Sequence, residues 1–334
     1  YVGFVIINIE VIEIIIDGVF GTHRFLAHIL YPQLYSFLIG SFEILAFLVL
    51  FSCVVFFIRR NIIKIKRFWS KEMTTWPKTD ANLILIFEIF LMTAFIVMNC
   101  SDQILQERGV DHYIIAGSFP ISSFFVPLFD SFSSTNLIII ERFTWWFHIL
   151  GILAFLNYVL ISKHLHIFFA FPSTYYANIE KLGKFDNLKS VTNEVKLMLD
   201  PNADPFAVPQ NQDQKPVSLF GARDATDLNW VQLLNAYSCT ECGRCSSVCP
   251  ANQTGKELSP RKIMMDTRDR IEEIGRLKEN NTNYLLGNYI SKEELWACTT
   301  CNACTDACPI NLDPLSIIVD LRRYLVMEES AAPT

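Results

Sequence analysis

Apolar residues fill positions 33–58, QLYSFLIGSFEILAFLVLFSCVVFFI, with Glu43 as the one charge in the run. About 20 such residues suffice to cross a hydrocarbon core roughly 30 Å thick, so the stretch is read as a membrane helix. Residues 82–104 and 143–170 have the same character, and the opening VGFVIINIEVIEIII is apolar despite Glu10 and Glu13. Four spanning helices are predicted. The chain opens at Tyr1 in mid-pattern, so a further N-terminal span is expected upstream. Residues 113–140 are apolar too, but Pro120, Pro127, Asp130 and a serine-rich run break them, which predicts an outer-face or re-entrant segment rather than a crossing.

Beyond residue 170 the pattern changes. Residues 171–199 read as helical and amphipathic, and 200–221, DPNADPFAVPQNQDQKPVSLFG, hold four prolines and few large hydrophobes, as an extended linker does. A polar region follows, in which SPRKIMMDTRDRIEEIGRLKEN has helical period and opens on a Ser-Pro start signal at Ser259 and Pro260. The predicted organisation is all-α: a membrane helix bundle over 1–170, a connecting helix and linker over 171–228, and an α-helical cysteine domain over 229–334.

Charge orients the bundle. The connection after residue 58 carries Arg59, Arg60, Lys64, Lys66, Arg67, Lys71 and Lys78, whereas Arg24, Arg108 and Arg142 are the basic residues of the other side. The positive-inside bias makes the basic connection cytoplasmic. Counting crossings from it places His23 and residues 105–142 outside and everything after about residue 170 inside the inner membrane. With a net charge of -6 and no glycine loop of the nucleotide-binding kind, neither nucleic acid nor a flavin or nicotinamide held by this chain is expected.

The cysteines supply the chemistry. CTECGRCSSVCP places Cys239, Cys242, Cys245 and Cys249 in the pattern C-x2-C-x2-C-x3-C-P, and CTTCNACTDACP repeats it with Cys298, Cys301, Cys304 and Cys308. Three thiolates two residues apart cap three corners of a [4Fe-4S] cubane, and in two-cluster ferredoxins the fourth corner is taken by the other motif. That logic assigns Cys239, Cys242, Cys245 and Cys308 to one cluster and Cys298, Cys301, Cys304 and Cys249 to the other. Zinc needs four thiolates but has no use for this spacing. Cys53 and Cys100 lie in apolar stretches and are read as core packing. Clusters on the reducing, cytoplasmic side agree with the charge bias.

Histidines and carboxylates in the apolar half are the remaining candidates. His148 and His166 stand eighteen residues apart, five turns of one continuous helix, and so would share a face, one towards each side of the bilayer. That spacing suits axial ligands of b-type haem, with His23 at a depth to partner His148 and His28 in reserve; His164 falls off the shared face. The plainer reading makes all of these interfacial or hydrogen-bonded histidines. Glu10, Glu13 and Asp17 fall at i, i+3 and i+7 on one helix face, with Glu43 and Glu88 in the following spans. A charge at bilayer depth costs roughly 2.5 kcal/mol or more, so such groups pair up or line a polar path, and quinone chemistry needs one for its protons.

The fourth stretch, WWFHILGILAFLNYVLISKHLHIFFAFP, resembles the last helix of the membrane cytochrome b subunits typified by the nitrate reductase gamma subunit. A helix bundle followed by two C-x2-C-x2-C-x3-C-P motifs resembles the iron-sulfur membrane oxidoreductases related to heterodisulfide reductase and to the membrane dehydrogenase for electron transfer flavoprotein. The resemblance implies one or two b haems with His148 and His166 as ligands. It also implies respiratory electron exchange between a cytoplasmic redox partner and membrane quinone. Members of that group often continue into Cys-Cys-Gly modules, absent from this sequence; a cysteine-rich or flavoprotein subunit is then the expected partner. Two other readings fit the residues: a haem-free anchor whose clusters reduce quinone directly, and an iron-sulfur sensor or assembly protein.

Overall fold

The computed structural model describes residues 2–180, 183–201, 219–278 and 282–333, so most of the proline-rich linker lies outside the described residues. Among the described residues there is no named strand, and one isolated bridge joins Leu286 to Ile290. The chain divides into two compact units, Tyr1–Ile65 with Lys78–Ser162, and Lys66–Pro77 with Lys163–Thr334.

The first unit is built on α1 (Val2–Phe20), α2 (Pro32–Asn61), α3 (Trp76–Glu107) and α4 (Ser134–Val159). Pro32 opens α2 at a position where its missing N–H is no loss, and Arg59 and Arg60 close it. The Ser133 hydroxyl caps α4 by accepting from the Asn136 N–H at 3.3 Å. Helices α2, α3 and α4 are long and apolar enough to cross a membrane. The predicted count of four is therefore not matched. Helix α1 forms, but Glu10, Glu13 and Asp17 within nineteen residues set its composition apart from the three spans.

Large apolar side chains point outward, among them Phe47, Phe51, Phe143 and Trp146, while Glu43, Asn99, Asp102 and Glu141 are buried. An apolar exterior around a polar interior is the arrangement lipid selects. The apolar core between these helices is formed by Tyr35, Ile39, Phe42, Phe95 and Trp145. Residues 113–125 lie in non-helical backbone and short turns, and side chains accept from several of their N–H groups. Ala116 donates to Gln106 Oε1 at 3.1 Å, and Ile121 and Ser122 donate to Glu43 Oε2 at 2.9 and 3.2 Å. Irregular backbone at membrane depth needs such protein partners.

The second unit holds α5 (His166–Tyr175), α6 (Lys189–Leu199), α7 (Trp230–Ser238), α8 (Pro260–Leu277) and α9 (Pro314–Met327). One helix was expected over 143–170, but α4 stops at Val159 and a turn precedes α5. The turn is fixed by hydroxyls: Tyr158 and Ser162 both donate to Asp80 Oδ1, at 2.5 and 2.7 Å. His148 and His166 consequently do not share one helix, and the five-turn register between them does not exist.

Caps define the helices of the second unit. Asn229 and Gln232 form a capping box on α7, and Ser259 and Asp313 cap α8 and α9. Ile263 from α8 and Ile317, Ile318 and Leu321 from α9 pack with Ala236 and Leu295 in a core whose members also include Cys239, Cys249 and Cys304. Arg270 crosses this unit as a buried cation, its Nε and Nη2 donating to the two Asp224 oxygens at 2.7 and 2.6 Å.

Candidate iron-sulfur centre

Both cysteine motifs fold into loops of the same backbone shape. Glu241 and Gly243 have φ of 58° and 74°, and the residues at the same offsets in the second motif, Thr300 and Asn302, have φ of 55° and 62°. Left-handed residues in such loops turn successive N–H groups towards one concavity, a backbone arrangement suited to anionic sulfur. The Thr300 N–H donates to Cys298 Sγ at 3.4 Å.

The cysteines line two cavities. One, of about 200 Å³, is walled by Cys239, Cys242, Cys245, Cys304 and Cys308, with His166, Ala170 and Arg261 among the other lining residues. The second is narrower, about 10 Å³, and is walled by Cys249, Cys298, Cys301 and Cys304 with Leu258, Leu315 and Ile318. The second cavity draws three cysteines from its own motif and the last cysteine of the other, and the first draws three from its own motif and both Cys304 and Cys308 from the other. Among the described residues no three His, Cys, Asp or Glu side chains stand close enough to share a single metal ion. Burial pushes the Cys239, Cys245 and Cys304 thiols up to about 12, so thiolates there need cations to bind, which the iron of a cluster supplies. The donor set fits two cubanes.

The loop around Cys239 is pinned by buried charge. Glu241 is 2% exposed and pairs with Lys163 Nζ through Oε2 and with Arg268 Nη2 through Oε1 at 2.8 Å. Burial raises its carboxyl, but the two cations more than offset this and hold it below the usual carboxylate range. Lys163 Nζ also donates to the Pro77 carbonyl at 2.7 Å. Arg261 donates from Nη1 to the Arg67 carbonyl at 2.6 Å and from Nη2 to Glu72 Oε1 at 2.7 Å and to Ser70. None of Glu72, Lys163, Glu241, Arg261 or Arg268 stands out in the sequence. Their partners lie tens to nearly two hundred residues away, and the one local signal is a charge placed inside a C-x2-C loop.

In the first unit, the three carboxylates of α1 separate by role. Glu13 Oε1 accepts from the Leu26 N–H and the Tyr35 hydroxyl, both at 3.0 Å, and Asp17 accepts from the Thr22 hydroxyl and the Arg24 and Phe25 N–H groups at 2.6–3.0 Å. These two hold the chain reversal after α1. Glu10 differs: its Oε1 is buried without a hydrogen-bond partner, and it lines a cavity of about 30 Å³ together with Glu13, Asp17, His23, Asp102 and Glu141.

His23 has both ring nitrogens engaged, Nε2 with Asp102 Oδ1 at 2.8 Å and Nδ1 with the Ile114 N–H at 3.3 Å. His148 is buried with Nδ1 on the Leu91 carbonyl at 3.0 Å. His166 belongs to the second unit, where its Nδ1 meets the Lys163 carbonyl at 3.0 Å and its ring lies 5.3 Å from that of His164; His28 is exposed.

Residues 235–312 match the 4Fe-4S dicluster domain family. Over 98% of its length the chain is 29% identical to the iron-sulfur-binding oxidoreductase FadF of Bacillus subtilis, and over 87% it is 26% identical to the EtfAB:quinone oxidoreductase of Syntrophomonas wolfei. It spans 46% and 41% of those two proteins. A shorter match, 34% identical over 30% of the chain and 52% of the relative, is to one subunit of the ferredoxin/F420H2-dependent CoB-CoM heterodisulfide reductase of Methanosarcina acetivorans. No solved structure matches. The chain thus holds three helices long and apolar enough to cross a membrane and a region that matches the 4Fe-4S dicluster domain family, and over most of its length it is similar to proteins named as iron-sulfur and quinone oxidoreductases.

Proposed function

We propose that the chain carries electrons between a soluble redox partner and membrane quinone through two [4Fe-4S] clusters. One would be bound by Cys239, Cys242, Cys245 and Cys308, the other by Cys298, Cys301, Cys304 and Cys249. The observation that carries the reading is the pair of cavities, whose linings include those two sets of four cysteines, with Cys304 lining both. Quinone enters from the relative named as an EtfAB:quinone oxidoreductase, and an electron-transferring flavoprotein or a cysteine-rich subunit is the partner class proposed on the same ground. Each cluster passes one electron at a time, so a quinone takes two electrons and two protons to become quinol.

Of the α1 carboxylates, Glu10 is the proton-handling candidate, since Glu13 and Asp17 are spent on backbone N–H groups. Its cavity of about 30 Å³ has room for a water. Orientation in the inner membrane, with the clusters cytoplasmic, is supported by the basic connection Arg59–Lys78, part of which folds into the cluster-bearing unit.

Haem fits these residues poorly. His148 is buried with Nδ1 on the Leu91 carbonyl at 3.0 Å, the kind of bond that would orient a ligating ring. His23 has no free nitrogen to offer, and His166 lies in the other unit. A bis-histidine site is not completed, and no electron step is routed through haem.

The test is iron, labile sulfide and a reduced-minus-oxidised optical spectrum on the membrane-extracted chain, followed by quinol formation from reduced protein. About eight iron atoms per chain and quinol formation are expected. A haem b band would reinstate the histidines. Four or fewer iron atoms, or full clusters that never reduce quinone, would overturn the reading.

A further inference from the structure

The two motif loops have the same backbone but different surroundings. At Gly243 an added Cβ would stand 2.4 Å from Arg261 Nη1 and 3.3 Å from its Cζ, so glycine is what lets the guanidinium lie against the Cys242–Cys245 turn. The matching position of the second loop is Asn302, which reaches the same left-handed backbone while carrying a side chain. Arg261 is 1% exposed and forms part of the wall of the first cavity. Its counter-ion, Glu72, is absent from that wall. Arg244, also on the wall, is exposed. Among the described residues no charged side chain lines the second cavity; Arg322 reaches the Cys298 carbonyl at 2.5 Å, partly exposed and off the wall. Arg261 also has a buried Nε–H without a partner among the protein's atoms.

We propose that Arg261 is a potential-setting residue: it holds the cluster of the first cavity at a higher reduction potential than the cluster of the second. This rests on the cluster reading above. An electron added to a cubane makes it one charge unit more negative, and no bond is made or broken. A fixed, desolvated cation at the wall favours that reduced form, and the unpartnered Nε–H takes a cluster sulfide or thiolate as acceptor. Electrons then settle at the cluster whose wall includes α5, which directly follows the third span, and whose arginine is bonded to the loop between the first two spans. The cluster of the other cavity, where Cys301 is exposed, becomes the entry from the soluble partner.

Redox titration followed by electron paramagnetic resonance on the full chain reads this directly, with Cys308→Ser and Cys249→Ser assigning each signal to its cluster. Arg261→Gln should lower the electron share of the first cluster about tenfold, about 59 mV for one electron, and leave the second unmoved. Glu72→Gln, which removes the counter-ion's charge, should move the first cluster the opposite way, and Arg261→Lys, which keeps the charge but not the Nε–H, should fall between wild type and Arg261→Gln. Shifts of equal size in both clusters, or none in variants with a full iron count, overturn the proposal. If Arg261→Gln fails to hold its cluster, Glu72→Gln decides, and no upward shift there is a refutation. A wild-type chain with fewer than two clusters refutes the cluster reading itself, and this inference with it.

Discussion

Single residues in this chain matter most where charge is buried. Asp224 is the clearest structural case, because its carboxylate receives Arg270 through two bonds and the N–H groups of Ala225 and Leu285 at 2.8 and 2.9 Å. Asp224→Ala removes the paired carboxylate from a guanidinium that is 1% exposed and leaves it Glu273 and the Asn283 carbonyl. Losing one partner of a buried pair costs about 3–5 kcal/mol, so loss of cluster absorbance on heating should come at clearly lower temperature. Burial by itself would raise this carboxyl, but Arg270 and the two N–H groups pull it below the ordinary 3.8. A group depressed on folding adds stability above its unfolded value and loses it as pH falls through the lower folded one. Thermal stability should therefore drop as pH is taken below about 3.8, and less steeply in Asp224→Asn, where nothing titrates at this position. An identical acid profile in the two proteins would contradict this.

At the scale of elements, the turn between α4 and α5 decides which histidines belong together. Asp80 is 1% exposed and accepts from both Tyr158 and Ser162. Asp80→Ala leaves the buried Ser162 hydroxyl without this acceptor, at a cost of about 1–3 kcal/mol, while Asp80→Asn keeps an oxygen there and should cost less. Thermal unfolding in detergent reads the difference; equal loss in both variants would mean that charge, not the acceptor, fixes the turn. This turn also marks the limit of what the sequence discloses. The cysteine motifs are legible because ligand spacing is local and repeated, and the spans because lipid demands unbroken apolar runs. Residues 159–166, VLISKHLH, hold four polar residues, but the apolar IFFAF that follows carries the hydropathy-predicted helix straight through them. What stops it is a hydrogen bond to a residue 82 positions away. The same holds for Arg261 and Glu72, 189 positions apart, and for Glu13 and Asp17, whose backbone partners no periodicity reveals.

For the whole molecule, connectivity constrains topology without reference to packing between the units. The chain passes from one unit to the other three times, at 65–66, 77–78 and 162–163, and between the second and third passages it runs through both α3 and α4. Two spans return a chain to the side it left. Residues 66–77 and 163–334 must then share one face of the membrane, which is what their assembly into one unit requires, with Arg261 bonded to the Arg67 carbonyl and to Glu72. A full extra crossing by residues 113–133 would break this parity. Seven basic residues flank that face, and this bias is the ground for the proposal that it is cytoplasmic. Lys71 and Asp111, both exposed, lie on opposite sides of α3. With a membrane-impermeant thiol reagent, Lys71→Cys should be labelled in inside-out vesicles and Asp111→Cys in intact cells. Labelling of both from one side would break the parity, and a clean reversal would leave the parity standing while moving the clusters to the outer face. Only the first outcome touches the fold; the second would remove the reducing compartment on which cluster assembly and a soluble electron donor both depend.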